Sequence, residues 1–249
     1  MAPKGLAIII GAGPNTGTGI IRILSKKYAV AMCARNKESL SKIQSTLKES
    51  SPESVMEIFP TSTDPDSLKS AFQDIRTHQS FKDLKLKLAV YSIKHSSKKP
   101  FMEETYKEFT TSLTEYVGGA FAFAQESAKL MFEHHGTAPL SETREKKGTI
   151  IFTGTLGAMR SNAEYAAYGA GRAGVRQLAQ SLGKEMSPKG IHVVHTIANG
   201  GIEDADGDAQ ATGTKMSADS VGKTYLWLSE QEQDLWTSEL DMRPAAEKY

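Results

Sequence analysis

Short apolar runs alternate with longer amphipathic stretches along the chain. The first run, residues 5–10 (GLAIII), is apolar at nearly every position, the pattern of a strand buried on both faces. Residues 17–28 then place Ile20, Ile21, Leu24 and Tyr28 at helical spacing. The run 28–34 (YAVAMCA) reads as a second buried strand, 38–47 as a helix, 55–59 as a short strand and 66–76 as an amphipathic helix. A strand is expected over 86–92. A long helical region follows over 103–134, with a break near Gly118 and Gly119. Then come a strand over 149–153 and a helix over 164–186, which Ser187, Pro188 and Gly190 end. A strand over 191–197, a helix over 218–229 and a last strand over 235–240 complete the pattern.

Strand and helix thus alternate about seven times, which predicts an α/β fold: a parallel sheet with helices on both faces. No linker or composition break divides residues 1–249, so the expectation is one domain. In a doubly wound sheet, ligands bind outside the carboxyl ends of the strands. Two polar loops stand out, 136–147 and 201–217. The second follows the sixth strand at the ligand end and is expected to act as a substrate lid.

Composition narrows the function classes. The 249 residues carry a formal net charge of +1, so no bulk field draws nucleic acid or an acidic membrane. The single Cys33 excludes an internal disulfide and a cysteine zinc site, and a buried inert thiol is expected. No apolar run approaches the ~18 residues of a membrane span. The start, MAPKG, leads straight into a strand with no room for a signal peptide, and the end, EKY, is no peroxisomal address. The expectation is a cytoplasmic protein with a small-molecule substrate and neither nucleic acid nor membrane as partner.

The densest chemical signal is GAGPNTGTG, residues 11–19. It joins a buried strand to a helix, the context a phosphate-binding turn requires. Without a Cβ the backbone can approach a pyrophosphate, and the helix start directs free N–H groups and its positive dipole end at the anion. Two registers compete: Gly11-x-Gly13 of the usual dinucleotide fingerprint, and Gly13-x-x-x-Gly17-x-Gly19 with its three-residue spacer. The second strand ends in Arg35, where an acid would bond an adenosine ribose; a guanidinium instead suits a 2′-phosphate. NADP(H) is therefore expected over NAD(H).

With these residues in view, the chain resembles the short-chain dehydrogenase/reductase family over nearly its full length, residues 6–243. The turn at 13–19, the segment GTIIFTG (148–154), the segment YGAGRAGVRQLAQSLGKEMSPKGIHV (168–193) and the ending WTSELDMRP (236–244) carry the resemblance. It implies a Rossmann-type, doubly wound, seven-stranded parallel sheet and a nicotinamide cofactor. It also implies a homodimer or homotetramer built on the long helices after strands four and five.

The resemblance implies catalysis by Tyr-x-x-x-Lys with a Ser thirteen residues upstream. Here Tyr168, Arg172 and Thr155 hold those positions. The i,i+4 spacing puts Tyr168 and Arg172 on one helix face. A cation beside a phenol favours its ionised form, which lets it exchange a proton with a substrate oxygen. Thr155 keeps the oxygen-holding hydroxyl but adds a methyl group. Arg172 keeps the positive charge but has a planar fork and a different reach. By the same resemblance the cofactor-binding residues are Gly13, Asn15, Thr16, Gly17, Gly19, Arg35, Ser62, Ser92, Lys94, Tyr168, Arg172, Gly200 and Ile202. Lys94 stands where the family has a glycine, Tyr116 where it has a helix asparagine, Thr61 where it has an adenine-side aspartate, and Asn199 where it has a proline.

The implied activity is NADP(H)-dependent hydride transfer to or from a small carbonyl, alcohol or C=N compound. The substituted positions leave a second reading open: a descendant that binds NADP(H) without redox chemistry, as a regulatory protein or for another reaction. No metal is expected. His134 and His135, at a helix end, are read as C-terminal cations rather than ligands. His192 and His195 point to opposite faces of a strand and are read as structural. The acids of 203–208 read as a solvated lid. The basic loop 94–100 (KHSSKKP) reads as solvated or as an attractor of an acidic substrate or the cofactor phosphate.

Overall fold

The computed structural model describes residues 2–94 and 96–247. Met1, His95, Lys248 and Tyr249, which belong to stretches read above, lie outside the described residues.

The first half runs β1 (Leu6–Ile10), α1 (Thr16–Leu24), β2 (Ala29–Ala34), α2 (Lys37–Ser50), β3 (Met56–Pro60), α3 (Pro65–Thr77) and β4 (Leu86–Tyr91). Then α4 (Tyr106–Leu113) passes through one π-helical turn (Thr114–Gly118) into α5 (Gly119–His135), followed by the short α6 (Leu140–Thr143). The second half has β5 (Gly148–Gly154), α7 (Ala166–Met186), β6 (Ile191–Ala198), β7 (Ile202–Glu203), α8 (Asp208–Ala211), β8 (Met216–Ser217), α9 (Ala218–Glu230) and β9 (Glu239–Met242).

Seven strands pair in the order β3-β2-β1-β4-β5-β6-β9, every neighbour parallel. The order reverses between β1 and β4, which opens a crevice at their carboxyl ends. Alternation along the strands divides the core into two layers. Leu6, Ile8 and Ile10 of β1 pack with Phe72 of α3, Phe123 of α5 and Val175 of α7. Ala7 and Ile9 pack with Ile20 and Leu24 of α1, Leu40 and Leu47 of α2, and Val221 and Tyr225 of α9. Tyr225 also bonds the hydroxyls of Thr153 and Thr196 at 2.7 and 2.8 Å, fixing α9 to β5 and β6.

Three expected boundaries shift. The break near Gly118 is a π turn that keeps one continuous helical path. The last strand is Glu239–Met242 rather than 235–240, and Leu235 is exposed. The lid region 201–217 has structure of its own: β7 pairs with β8 in parallel, with α8 between them. Arg22 of α1 ties this unit down through an ion pair to Asp204 at 2.8 Å, and pairs with Asp219 at the start of α9 at 2.5 Å. No helix among the described residues is long and apolar enough to cross a membrane.

Candidate functional site

The crevice is a cavity of about 1720 Å³. Its walls include Gly13, Asn15, Thr16 and Gly17 from the glycine turn, Arg35 after β2, and Ser62 after β3. Ser92 and Lys94 after β4, Thr155 after β5, Tyr168 on α7, and Gly200 and Ile202 after β6 complete the expected set on its surface. Two expected residues, Gly19 and Arg172, are not on that surface.

The turn shows why four glycines stand so close together. Gly11 has φ +88°, and a Cβ there would overlap the Ser92 carbonyl, so it lets β1 and β4 meet at the crevice floor. Gly17 backs onto the Gly11 carbonyl, 3.0 Å from where its Cβ would be. Gly19 faces α9, and a Cβ there would overlap the Ala218 backbone. Only Gly13 opens onto free space: the nearest atom to its ideal Cβ is 3.8 Å away. Asn15 completes the turn with φ 60°, a region asparagine tolerates, and no side chain caps the start of α1. An uncapped helix start beside open space in a cavity is a place where an anion satisfies backbone N–H groups.

On the β2 side, Arg35 lines the cavity, is exposed, and has no hydrogen bond or ion pair among the described residues. Asn36 caps α2 beside it. On the β3 side, Thr61 is buried and bonds the Ser67 carbonyl at 3.0 Å, while Ser62, Thr63 and Asp64 face the cavity. Asp64 accepts N–H bonds from Asp66 and Ser67, which caps α3.

At the other end of the cavity, Thr155 Oγ1 and Tyr168 Oη lie 2.8 Å apart. The Tyr168 ring lies flush against residue 157: a Cβ on Gly157 would come 2.6 Å from its Cε1. Gly157 had no signal in the sequence beyond its place two residues after Thr155. Arg172 is one turn on, as the spacing requires, but it is 2% exposed and its guanidinium is turned aside. Its guanidinium carbon sits 3.6 Å from the Tyr116 ring centroid and 4.3 Å from that of Tyr168. Its amino groups donate to the Lys94 carbonyl at 3.2 Å and Ser96 Oγ at 3.5 Å. Arg172 therefore ties the loop after β4 to α7.

This geometry agrees with the comparisons. Residues 5–214 match the short chain dehydrogenase family. The chain belongs to that family. A curated relative, the NADPH-dependent 1-acyldihydroxyacetone phosphate reductase of Saccharomyces cerevisiae, is 25% identical over 202 residues, covering 80% of this chain and 61% of the yeast protein. A short-chain dehydrogenase from Rhodopseudomonas palustris superposes with a TM-score of 0.78 at 23% identity, over 98% of this chain and 100% of that one. An alcohol dehydrogenase from the archaeon Thermococcus sibiricus, complexed with 5-hydroxy-NADP, superposes with a TM-score of 0.80 at 16% identity, covering 98% of each chain.

Within this short chain dehydrogenase, two features at the Tyr168 end of the cavity had little sequence signal. The first is Tyr116, fully buried in the π turn, where its hydroxyl bonds the Thr153 carbonyl at 3.2 Å and its ring carries Arg172. Burial pushes its phenol up to about 12, while the Arg172 charge pulls the other way. The second is Lys98, whose ammonium lies 4.4 Å from the Tyr168 ring centroid and 4.5 Å from that of Tyr165.

The four histidines read from the sequence and Cys33 make structural contacts away from the cavity surface. His134 Nδ1 accepts the Leu86 N–H at 2.9 Å, and burial lowers the pKa of both His134 and His135. That corrects the expected role of His134 as a helix-end cation: a ring nitrogen that accepts a backbone N–H carries no proton. His135 Nδ1 instead lies 3.2 Å from the Glu145 carboxylate. His192 stacks on Trp236 at 5.1 Å, and His195 bonds Glu239 at 3.2 Å behind Gly154. Cys33 is buried, and desolvation pushes its thiol up to about 12, so it is unreactive.

Proposed function

We propose that this short chain dehydrogenase is an NADP(H)-dependent reductase of a small carbonyl or C=N compound, with Tyr168 as the proton donor. The observation that carries the reading is one cavity with an uncapped phosphate-type turn at one end and the Thr155–Tyr168 hydroxyl pair, 2.8 Å apart, at the other. The residues fit a dinucleotide: Gly13 leaves open space over the α1 start, and Arg35 offers an unpaired guanidinium. Gly13, Asn15, Thr16 and Gly17 would hold the pyrophosphate, Arg35 the 2′-phosphate, and Ser62, Ser92, Lys94, Gly200 and Ile202 the rest of the groove. Bound NADPH supplies hydride chemistry at the carbonyl carbon.

The chain's own residues do the rest. Thr155 and Tyr168 present two hydroxyls joined at rest by one hydrogen bond. A substrate oxygen placed between them accepts from both, which orients the carbonyl and draws electron density toward its oxygen. Tyr168 Oη then gives its proton to that oxygen. The positive charge of Arg172, 4.3 Å from the ring centroid, opposes the phenolate charge that remains. A guanidinium keeps its charge at any working pH, so Arg172 acts as a fixed field and not as a proton carrier.

The test is NADPH oxidation followed at 340 nm over a panel of aldehydes, ketones and imines. At least one is expected to turn over, and Tyr168→Phe is expected to lower kcat by about 10²–10⁴-fold. Full turnover by Tyr168→Phe would overturn the assignment. NADPH binding with no turnover on the panel would favour the non-redox reading instead.

A further inference from the structure

Among the described residues, five charged ones line the cavity: Arg35, Asp64, Lys94, Lys98 and Glu115. Arg35 follows β2, on the far side of β1 from the loop after β4. The Asp64 carboxylate is occupied in capping α3. Glu115 is already engaged with another residue. The lid acids give nothing to this end: Glu203 pairs with Lys215 and Asp204 with Arg22, and neither lines the cavity. Lys94 and Lys98 remain, two ammonium groups with no carboxylate partner among the described residues.

Their loop is pinned. Arg172 bonds the Lys94 carbonyl and Ser96 Oγ from below, Ser112 Oγ accepts the Ser97 N–H at 3.0 Å, and Lys99 is paired with Glu108. Lys98 is held between these anchors. Its ammonium rests on the faces of Tyr165 and Tyr168, whose rings meet edge to face at 5.3 Å. A cation–π contact fixes the position of an ammonium without using a hydrogen-bond acceptor, so its N–H donors stay available. The residue is exposed to the cavity, so those donors face the space above the proton-donating phenol.

We propose that Lys98 anchors an anionic group of the substrate, a carboxylate or a phosphate. Because Lys98 touches the Tyr168 ring itself, that anion and the reacting carbonyl share one short carbon frame. The substrate class is therefore the oxo acids or the oxo alkyl phosphates. This rests on reading Tyr168 as the reacting end of the cavity.

The test uses the full chain loaded with oxidised NADP⁺, which cannot reduce a carbonyl, so that binding alone is read by calorimetry. The probes are pyruvate, acetoacetate and levulinate against their methyl esters, and hydroxyacetone phosphate against hydroxyacetone. At least one anion is expected to bind about tenfold or more tightly than its neutral counterpart, with a preference that shrinks on adding salt. The carboxylate and phosphate arms decide which anion is meant. Lys98→Met should abolish the preference and Lys98→Arg should retain most of it. Lys99→Met, which removes the neighbouring charge outside the cavity wall, should leave it in place. Equal binding of anions and neutral partners, survival of the preference in Lys98→Met, or equal loss in Lys99→Met would each overturn the proposal. If NADP⁺ itself fails to bind, the dinucleotide reading falls separately. The same probes are then titrated against the protein alone, where the same dependence on Lys98 is expected.

Discussion

Gly13 and Gly19 belong to the same glycine motif, yet the structure gives them different work, and one methyl group separates the two roles. At Gly13 an added Cβ meets nothing closer than 3.8 Å, and φ there is not in the left-handed region. Gly13→Ala should therefore leave the free protein's stability within about 0.5 kcal/mol of wild type, since a strain-free Gly→Ala change mainly restricts the unfolded chain. It should damage ligand binding, because the methyl group enters the open space beside the α1 start. Loss of one charge-assisted N–H bond to phosphate costs about 1.5–3 kcal/mol, or roughly 10–150-fold in affinity.

At Gly19 the prediction inverts. A Cβ would overlap the backbone of Ala218, which no rotamer change relieves, so α1 and α9 must move apart. Gly19→Ala should cost about 1–3 kcal/mol of stability by overpacking. The assay is a melting-temperature titration with NADPH. At a hundredfold excess over Kd, binding stabilises wild type by about 2.7 kcal/mol, which at about 2–4 °C per kcal/mol is roughly 5–11 °C. A hundredfold loss of affinity in Gly13→Ala reduces that to about 0.4 kcal/mol, roughly 1–2 °C. Gly19→Ala should start several degrees lower but keep the full ligand-induced rise. A full rise in Gly13→Ala, or a free Gly13→Ala protein that melts several degrees early, would refute the reasoning.

Arg35→Ala should weaken NADPH by about 10–100-fold and leave NADH nearly unchanged, as read by nicotinamide fluorescence; an equal loss for both would remove Arg35 from the 2′-phosphate. Tyr116→Phe should cost about 1 kcal/mol, the bond to the Thr153 carbonyl, whereas Tyr116→Leu should cost about 3 kcal/mol or more because the buried Arg172 loses its aromatic support; equal urea midpoints for the two variants would contradict this. Acid should destabilise the fold through His192, which burial pushes down to about 4 despite its bond to the Thr237 carbonyl. The unfolded chain binds that proton near 6.5, so between about 6.5 and 4 it holds more protons than the native state. Stability then falls with pH across that window by up to roughly 3 kcal/mol and levels off below it. Burial lowers His134, His135 and His195 in the same sense and steepens the same limb. A urea midpoint flat from pH 7 to pH 4.5 would refute it.

Hydrophobic periodicity carried the fold well because β1, β2, β4, β5 and β6 are buried almost throughout, and a doubly buried strand writes itself as an apolar run. The edge strand β9 was misplaced for the converse reason: its residues are half-exposed, and the exposed Leu235 mimicked a strand start. At the site, Tyr168 and Thr155 came from the family resemblance, and the structure brings their hydroxyls to 2.8 Å because a helix start and a strand end fix position along the backbone. Spacing does not fix where a long side chain turns. Arg172 shares a helix face with Tyr168 but leans on Tyr116, a contact between residues 56 positions apart in the chain. Lys98 was legible only as one charge in a basic loop, because its place over two tyrosine rings depends on pins from α4 and α7. The π turn had no local signature beyond Gly118 and Gly119, so it read as a break.

The central claim is that the cavity between the glycine turn and Tyr168 is a nicotinamide dinucleotide site selective for the 2′-phosphate. Calorimetric titration of the purified chain with NADPH and with NADH tests it most directly. The account predicts saturable binding of one NADPH per chain, about tenfold or more tighter than NADH. Binding of neither nucleotide, or tighter binding of NADH, would contradict it.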